Sequence, residues 1–289
     1  MFNLTTVYLN GEFMPPERAC ISVFDRGFIF GDGVYEVIPV FGGRLFRLAH
    51  HLARLDRSLG EIRVRNPMSH AQWEEVLTRL VRDGGTGDQT VYLQITRGVA
   101  PRDHAFPTDV APTVLAYAQP LKYPPSEVMA NGVAAITAAD NRWLRCDIKT
   151  TSLLANALLR QQAVERGAIE TLLVRDGWLT EGAASNVFVV RAGTLFTPPN
   201  GPFILPGITR DLVLELARAN GMPAREEAVP EAALMSADEI WMTSSGREIL
   251  AVTRLNDRAV GSGRPGPVVA RMLGLYKQYK KAFCEGNVE

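Results

Sequence analysis

Tight-turn dipeptides set between short apolar runs constrain this chain more than any other feature. Asn10-Gly11 interrupts TVYLNGEFMP, Gly42-Gly43 interrupts GDGVYEVIPVFGGRLF, and Asp176-Gly177 interrupts ETLLVRDGWLTEG. Such turns need backbone that Gly, Asn and Asp tolerate, and they join antiparallel neighbours. NVFVVRAGTLFTP is a further hairpin, and TVYLQITRGV, TVLAYAQPL, VAAITAA and DEIWMTSS are strand candidates. Helices lie between them. Leu48, Leu52, Leu55, Leu59 and Ile62 share one helical face, and Trp73, Val76, Leu77 and Leu80 share another over residues 70–82. TSLLANALLRQQAVERGA predicts a helix capped by Thr150, Thr151 or Ser152, with Leu154, Leu158 and Gln161 at helical spacing and Gly167 as its stop. ITRDLVLELARANG is a capped helix closed by Gly221. Strands and helices alternate without regular βαβ units, which predicts a mixed α+β architecture.

A chain of 289 residues has the length of two domains. The composition changes at QPLKYPPSE, where three prolines fall within nine residues. The expected division is a small N-terminal domain over residues 1–118, a linker over 119–128, and a C-terminal domain over 129–289. Lys+Arg and Asp+Glu balance at 31 each, so no charge excess points to nucleic acid or an anionic membrane as partner. The Arg-rich stretch RLFRLAHHLARLDRSLGEIRVR has Leu interleaved at helical spacing and reads as an amphipathic helix. The cysteines, Cys20, Cys146 and Cys284, are odd in number and far apart, which suits a reducing cytoplasm rather than a disulfide framework. No Cys/His cluster has metal-ligand spacing, so no metal is expected. No signal-peptide pattern opens the sequence, and no apolar run approaches the ~18 residues of a membrane span.

Several residues could carry chemistry. In RWLRCDIKT, Lys149 stands just ahead of the expected helix start, where the partial positive charge disfavours an ammonium. A lysine is the usual nucleophile toward a carbonyl, though this one could equally cover Trp143 with its stem. If the carbonyl belongs to pyridoxal phosphate, an acid must face the ring nitrogen, donors must hold the phosphate, and some group must bind the substrate carboxylate. Glu181, in LTEGAASN, precedes small residues that let backbone approach a flat ring, or it is an exposed turn glutamate. LPGITRD opens a helix, with Thr209 as cap and free N–H groups behind it, a ready anion site. MTSSGRE offers hydroxyls on Ser244 and Ser245. Arg54, off the Leu face of its helix, could reach a phosphate or pair with Asp56 or another neighbour. Arg102 and His104, two apart in a Pro-bounded loop, could both address one carboxylate. Tyr35 shares a strand face with Gly33 and Val37, and its hydroxyl could face a site or pack.

Taken in order, FDRGFIFGDGVYEV, TRGVAPRDHAFP, RWLRCDIKT, LTEGAASNVF, LPGITRD and MTSSGRE resemble the fold-type IV, or class IV, pyridoxal-phosphate aminotransferases. Within them the resemblance is to the enzymes that act on D-amino acids, and it runs from about Tyr8 to Asp257. RWLRCDIK is the element most specific for the family, and the Pro-Arg-x-His element for D-amino acid substrates. The resemblance implies a two-domain α+β fold, with a smaller N-terminal α/β domain and a larger C-terminal barrel-like domain that binds pyridoxal 5'-phosphate. It implies that Lys149 is the Schiff-base lysine and general base, and that Glu181 pairs with the pyridine nitrogen. It assigns Arg54, Ile208, Thr209, Ser244 and Ser245 to the phosphate; Ser245 stands where a threonine is expected. It assigns Leu205 to packing on the ring and Tyr35, Arg102 and His104 to the substrate carboxylate, the Arg-His loop coming from the partner subunit of a homodimer.

The implied reaction is ping-pong transamination between a D-amino acid, such as D-alanine, and a 2-oxo acid, such as 2-oxoglutarate. Branched-chain L-amino acid aminotransferases, (R)-amine aminotransferases and aminodeoxychorismate lyase share the fold and cofactor and are the alternatives. A polar Arg-His pair suits a carboxylate trap for D-amino acids, whereas a branched-chain pocket would be apolar there.

Overall fold

The computed structural model describes residues 4–288. The chain divides into two compact units. One comprises the chain up to Lys122, Ile148–Ser152 and the segment from Ala282 on; the other comprises Tyr123–Asp147 and Leu153–Lys281.

The first unit opens with β1 (Val7–Leu9) and β2 (Glu12–Met14), joined by Asn10 and Gly11 with φ of 49° and 100°. A short helix α1 (Arg26–Phe30), capped by the Asp25 carboxylate, leads to β3 (Gly33–Phe41) and β4 (Arg44–Leu45). Then come α2 (Leu48–Glu61), α3 (His70–Asp83), β5 (Gln89–Thr96) and β6 (Thr113–Pro120). The strands form an antiparallel sheet in the order β2-β1-β6-β5-β3-β4. Leu52, Leu55 and Leu59 of α2 and Trp73, Leu77 and Leu80 of α3 bury against Val34, Ile38, Val91, Leu93 and Ile95. At about 1.5–3 kcal/mol for each such side chain, this interface dominates the unit's stability. The other face of the sheet is half-buried and carries Tyr35, Val37, Tyr92, Gln94 and Tyr117.

Ile148–Ser152 joins this unit because it pairs with β3. Tyr35 N–H donates to the Lys149 carbonyl at 2.9 Å, and Thr151 N–H donates to that of Gly33 at 3.0 Å. The Thr150 hydroxyl donates to the Gly33 carbonyl, and those of Thr151 and Ser152 to the Gly31 carbonyl, at 3.0–3.1 Å. These are the hydroxyls expected to cap the next helix. Carbonyls more than a hundred residues away in sequence claim them instead.

The second unit contains α4 (Ser126–Asn131), β7 (Val133–Ala139), α5 (Leu154–Glu165), β8 (Glu170–Arg175), β9 (Trp178–Gly182), β10 (Asn186–Arg191) and β11 (Thr194–Thr197). It continues through α6 (Ile208–Ala219), β12 (Ala224–Glu226), α7 (Glu231–Met235), β13 (Glu239–Ser244), β14 (Glu248–Leu255), β15 (Arg258–Ala259) and all but the last turn of α8 (Pro267–Cys284). Its sheet runs β12-β11-β10-β13-β14-β7-β8-β9, with β15 on β14. The pairs β7–β8, β7–β14 and β11–β12 are parallel. Two crossovers, β7-α5-β8 and β11-α6-β12, stand as isolated βαβ units rather than a regular repeat: each 12-residue helix is long enough to return the chain to the start of a parallel strand. The sheet curls until β9 meets β10, with Gly182 N–H donating to the Ser185 carbonyl at 2.6 Å. This is the expected barrel-like form. Val187, Val189, Ile240, Met242, Leu250 and Val252 bury inside it.

Helix α5 differs from its sequence reading. Its N-cap is Leu153, without a side-chain cap. Leu154 and Leu158 are 74% and 58% exposed, while Leu159 and Ala163 are buried. Leu159 packs with Leu173 and Ala183, and Ala163 with Ile136 and Ala168. Contact with the strands on either side chose this face over the leucine repeat. Among the described residues no helix is long and apolar enough to cross a membrane, and no cluster of His, Cys, Asp and Glu could hold a metal.

Candidate active site

In the first unit, Lys149 is half-buried beside β3. Its Nζ lies 4.2 Å from the centroid of the Tyr35 ring and makes no hydrogen bond or ion pair among the described residues. A primary amine is thus lodged on an aromatic face with its donors uncommitted. Tyr35 stacks on Tyr92 at 5.7 Å, and Tyr92 on Tyr117 at 5.2 Å, so the ring beneath the lysine is fixed by a ladder across three strands. Burial pushes the Tyr92 hydroxyl well above the usual tyrosine range.

Arg54 is buried and pairs not with Asp56 but with Glu36 of β3. Its Nε and Nη2 donate to the two carboxylate oxygens at 2.8 and 2.7 Å. The Nδ1 of His51 lies 2.7 Å from Glu36 Oε2. Burial alone would raise the Glu36 pKa, yet the Arg54 charge and the bonds from Arg54 and His51 outweigh it and hold the carboxyl well below the usual range. Burial, opposed by Glu36, holds the His51 imidazole below the ordinary histidine value. Glu36 was not singled out in the sequence, although an acid inside the apolar run VYEVIPV is itself the signal of a buried, paired charge.

Arg102 and His104 are exposed, and neither makes a hydrogen bond or ion pair among the described residues. Both flank Phe30: the Arg102 guanidinium carbon is 5.3 Å from its ring centroid and the His104 ring 5.4 Å.

In the second unit, Glu181 is 5% exposed on β9, which excludes the exposed-turn reading. Oε1 accepts from Arg142 Nη1 at 2.6 Å, and Oε2 accepts from Asn186 Nδ2 at 3.1 Å and from Leu205 N–H at 3.0 Å. Arg142 is held from behind by Asp140, which also accepts from the Thr180 hydroxyl. Burial raises the Glu181 pKa to about 7, against the opposing charge of Arg142. A carboxylate has about four acceptor positions, so these three donors leave one for an N–H of a ligand. Asn186 and Arg142 were missed in the sequence, although both stand inside quoted motifs, because neither bears the chemistry itself.

Asn186 also donates to the Leu205 carbonyl at 2.8 Å. Gly207 is the N-cap of α6, and Thr209, buried, is its second residue rather than its cap. A Cβ on Gly207 would collide with Asn186 Oδ1. Asn186 therefore fixes the acid and the helix N-terminus relative to one another. The first N–H groups of a helix have no intrahelical acceptor, so those of Ile208 and Thr209 can take an anion. Ser244 and Ser245 lie at the β13–β14 turn, half-buried, with hydroxyls that bond nothing among the described residues. Leu205 is half-buried between the acid and this helix. The donor set fits pyridoxal phosphate: an acid with one acceptor position left suits a ring N–H, and N–H and hydroxyl donors suit a phosphate.

The comparisons with known proteins agree. The family described as amino-transferase class IV matches residues 33–255. A D-alanine aminotransferase of Bacillus licheniformis is 44% identical over 262 residues, covering 91% of this chain and 92% of that protein. One of Staphylococcus haemolyticus is 37% identical over 277 residues, covering 96% and 98%. Among solved structures, a branched-chain amino acid aminotransferase of Escherichia coli superimposes with a TM-score of 0.90 at 27% identity, over 99% of this chain and 97% of that one. Another of that class, of T.th. origin and solved with pyridoxamine 5'-phosphate, gives 0.89 at 26% identity, over 99% and 96%. With this identity running through nearly its whole length, the chain belongs to the class IV aminotransferases.

Proposed function

We propose that the protein catalyses ping-pong transamination between a D-amino acid, such as D-alanine, and a 2-oxo acid, such as 2-oxoglutarate. The observation that carries this reading is the uncommitted amine of Lys149 on the face of Tyr35, in a chain 44% identical to a D-alanine aminotransferase. Pyridoxal 5'-phosphate, when bound, supplies a carbonyl for the substrate nitrogen and a ring that takes up the electrons released at the substrate Cα.

The remaining work falls to side chains. Lys149 Nζ would hold the cofactor through its carbonyl, and the same amine would take the proton from the substrate Cα. Glu181 would accept the ring N–H and favour the protonated nitrogen. Arg54, with the N–H groups of Ile208 and Thr209 and the hydroxyls of Thr209, Ser244 and Ser245, holds the phosphate. Leu205 would pack on the ring. Tyr35, Arg102 and His104 bind the substrate carboxylate, with the Arg-His loop reaching the site of a second subunit in a homodimer. The exposure of Val23, Phe24 and Phe28 at 67%, 59% and 77% supports such an interface, because apolar side chains gathered in one segment favour burial. Three unpaired cysteines support a cytoplasmic location.

A branched-chain reading draws on the superposition with that class of enzyme. Assays with D-alanine and with L-leucine, each with 2-oxoglutarate, separate the two. Pyruvate and D-glutamate formed from D-alanine, and lost in Lys149→Ala, are the expected outcome. Turnover of L-leucine alone would replace the proposal with the branched-chain one.

A further inference from the structure

The loop bearing Arg102 and His104 is gripped from beneath. Arg26 is 3% exposed, and its Nη1 donates to the Asp103 carbonyl at 2.5 Å and reaches the Ala105 carbonyl at 3.4 Å. Its Nε donates to Asp32 Oδ2 at 2.8 Å. Arg97, 7% exposed, donates from Nε and Nη2 to the same carboxylate at 2.7 and 2.9 Å, and from Nη2 to the Ile62 carbonyl at 2.8 Å. The Arg97 guanidinium carbon also lies 3.6 Å from the centroid of the Phe106 ring. One carboxylate thus locks two buried guanidinium groups, which hold the loop at two carbonyls and one ring. At the loop's neck, Gly98 has φ of 101°, and a Cβ there would collide with the Ala111 carbonyl, so the two ends lie side by side.

The alternation along the loop is informative. Asp103 and Ala105 turn their carbonyls to Arg26, while Arg102 and His104 both turn their side chains to Phe30. Phe30 in turn lies under Arg26, whose guanidinium carbon is 4.8 Å from its ring centroid. Removing two guanidinium groups from water is costly, and an idle surface loop would not require it. What the arrangement secures is a fixed separation and direction for two exposed side chains whose donors are uncommitted.

We propose that Arg26 is a positioning residue for carboxylate recognition: locked by Asp32, it fixes the 102–106 backbone so that Arg102 and His104 point together. This rests on the proposed role of Arg102, and the two can fail separately. The test is a double-mutant cycle on cofactor-loaded enzyme with D-alanine as donor: Arg26→Met, Arg102→Met and the pair, reading KM and kcat separately. Each single change should raise KM for D-alanine about tenfold or more and change kcat less than threefold. The pair should fall well short of the product of the two single effects, because Arg26 acts through Arg102 and leaves only its smaller part through His104. Effects that multiply to about a hundredfold would show that Arg26 acts independently and overturn the proposal. So would an unchanged KM in Arg26→Met beside a raised one in Arg102→Met. An unchanged KM in Arg102→Met would instead overturn the carboxylate reading beneath it. If Arg26→Met fails to bind cofactor or to fold, Arg26→Lys, which keeps the charge beside Asp32 but cannot span both partners, is put through the same cycle with the same criteria.

Discussion

Replacing Glu181 by Gln should flatten the pH dependence of the apoprotein's stability. In the folded chain this carboxyl holds its proton up to a pKa of about 7, against an ordinary 4.5. Its folded-state pKa is the higher, so its favourable contribution is complete below about pH 4.5 and disappears as pH rises through 7. At about 1.4 kcal/mol per pKa unit, the full difference is about 3–4 kcal/mol, most of it falling between pH 5 and 8. The amide introduced by Glu181→Gln cannot ionise, and its packing and hydrogen-bond changes are independent of pH. Those changes offset the variant's curve but leave its slope alone. Urea unfolding of the two apoproteins across pH 5–8 should therefore show wild type losing about 2–3 kcal/mol relative to the variant. Parallel curves would mean that Arg142 and the bonds from Asn186 and Leu205 keep Glu181 ionised despite its burial, so that desolvation does not govern its titration.

Two further perturbations probe the elements behind the site. Glu36→Gln leaves the buried Arg54 guanidinium without its carboxylate, which should cost about 3–5 kcal/mol in urea unfolding near pH 7. Because the Glu36 pKa is depressed, the difference from wild type should shrink as pH falls into the acid range where that carboxyl takes up its proton, and a difference independent of pH would contradict the pairing. Gly207→Ala drives a Cβ against Asn186 and should displace that amide from Glu181 and Leu205. A loss of about 1–3 kcal/mol is expected in the same assay, with weakened cofactor retention on gel filtration; wild-type behaviour in both would show that the cradle has slack.

The parts legible in the sequence are those set by local chemistry. Asn10-Gly11 and Asp176-Gly177 specify their hairpins because few residues tolerate that backbone, and Leu52, Leu55 and Leu59 mark the buried face of α2 because one side of the helix must leave water. The parts that were not legible depend on partners distant in sequence. Thr150, Thr151 and Ser152 have the chemistry of helix caps, but the Gly31 and Gly33 carbonyls take their hydroxyls. On α5 the exposed Leu154 and Leu158 imitate a core face that Leu159 supplies. At the site, Lys149 and Glu181 stand out by residue type within their motifs. Glu36, which holds Arg54, is signalled by its charge within an apolar run, whereas Arg142 and Asn186, which hold the acid, become visible only when the fold brings them together.

Single half-reactions separate a transaminase selective for D-amino acids from one selective for branched-chain L-amino acids. Enzyme loaded with pyridoxal 5'-phosphate is mixed with D-alanine, and separately with L-leucine, with no acceptor present, while the absorbance of the bound cofactor is followed. Loss of the band with D-alanine alone, reversed by adding 2-oxoglutarate, is the predicted result. Loss with L-leucine and none with D-alanine would contradict it and transfer the chain to the branched-chain enzymes.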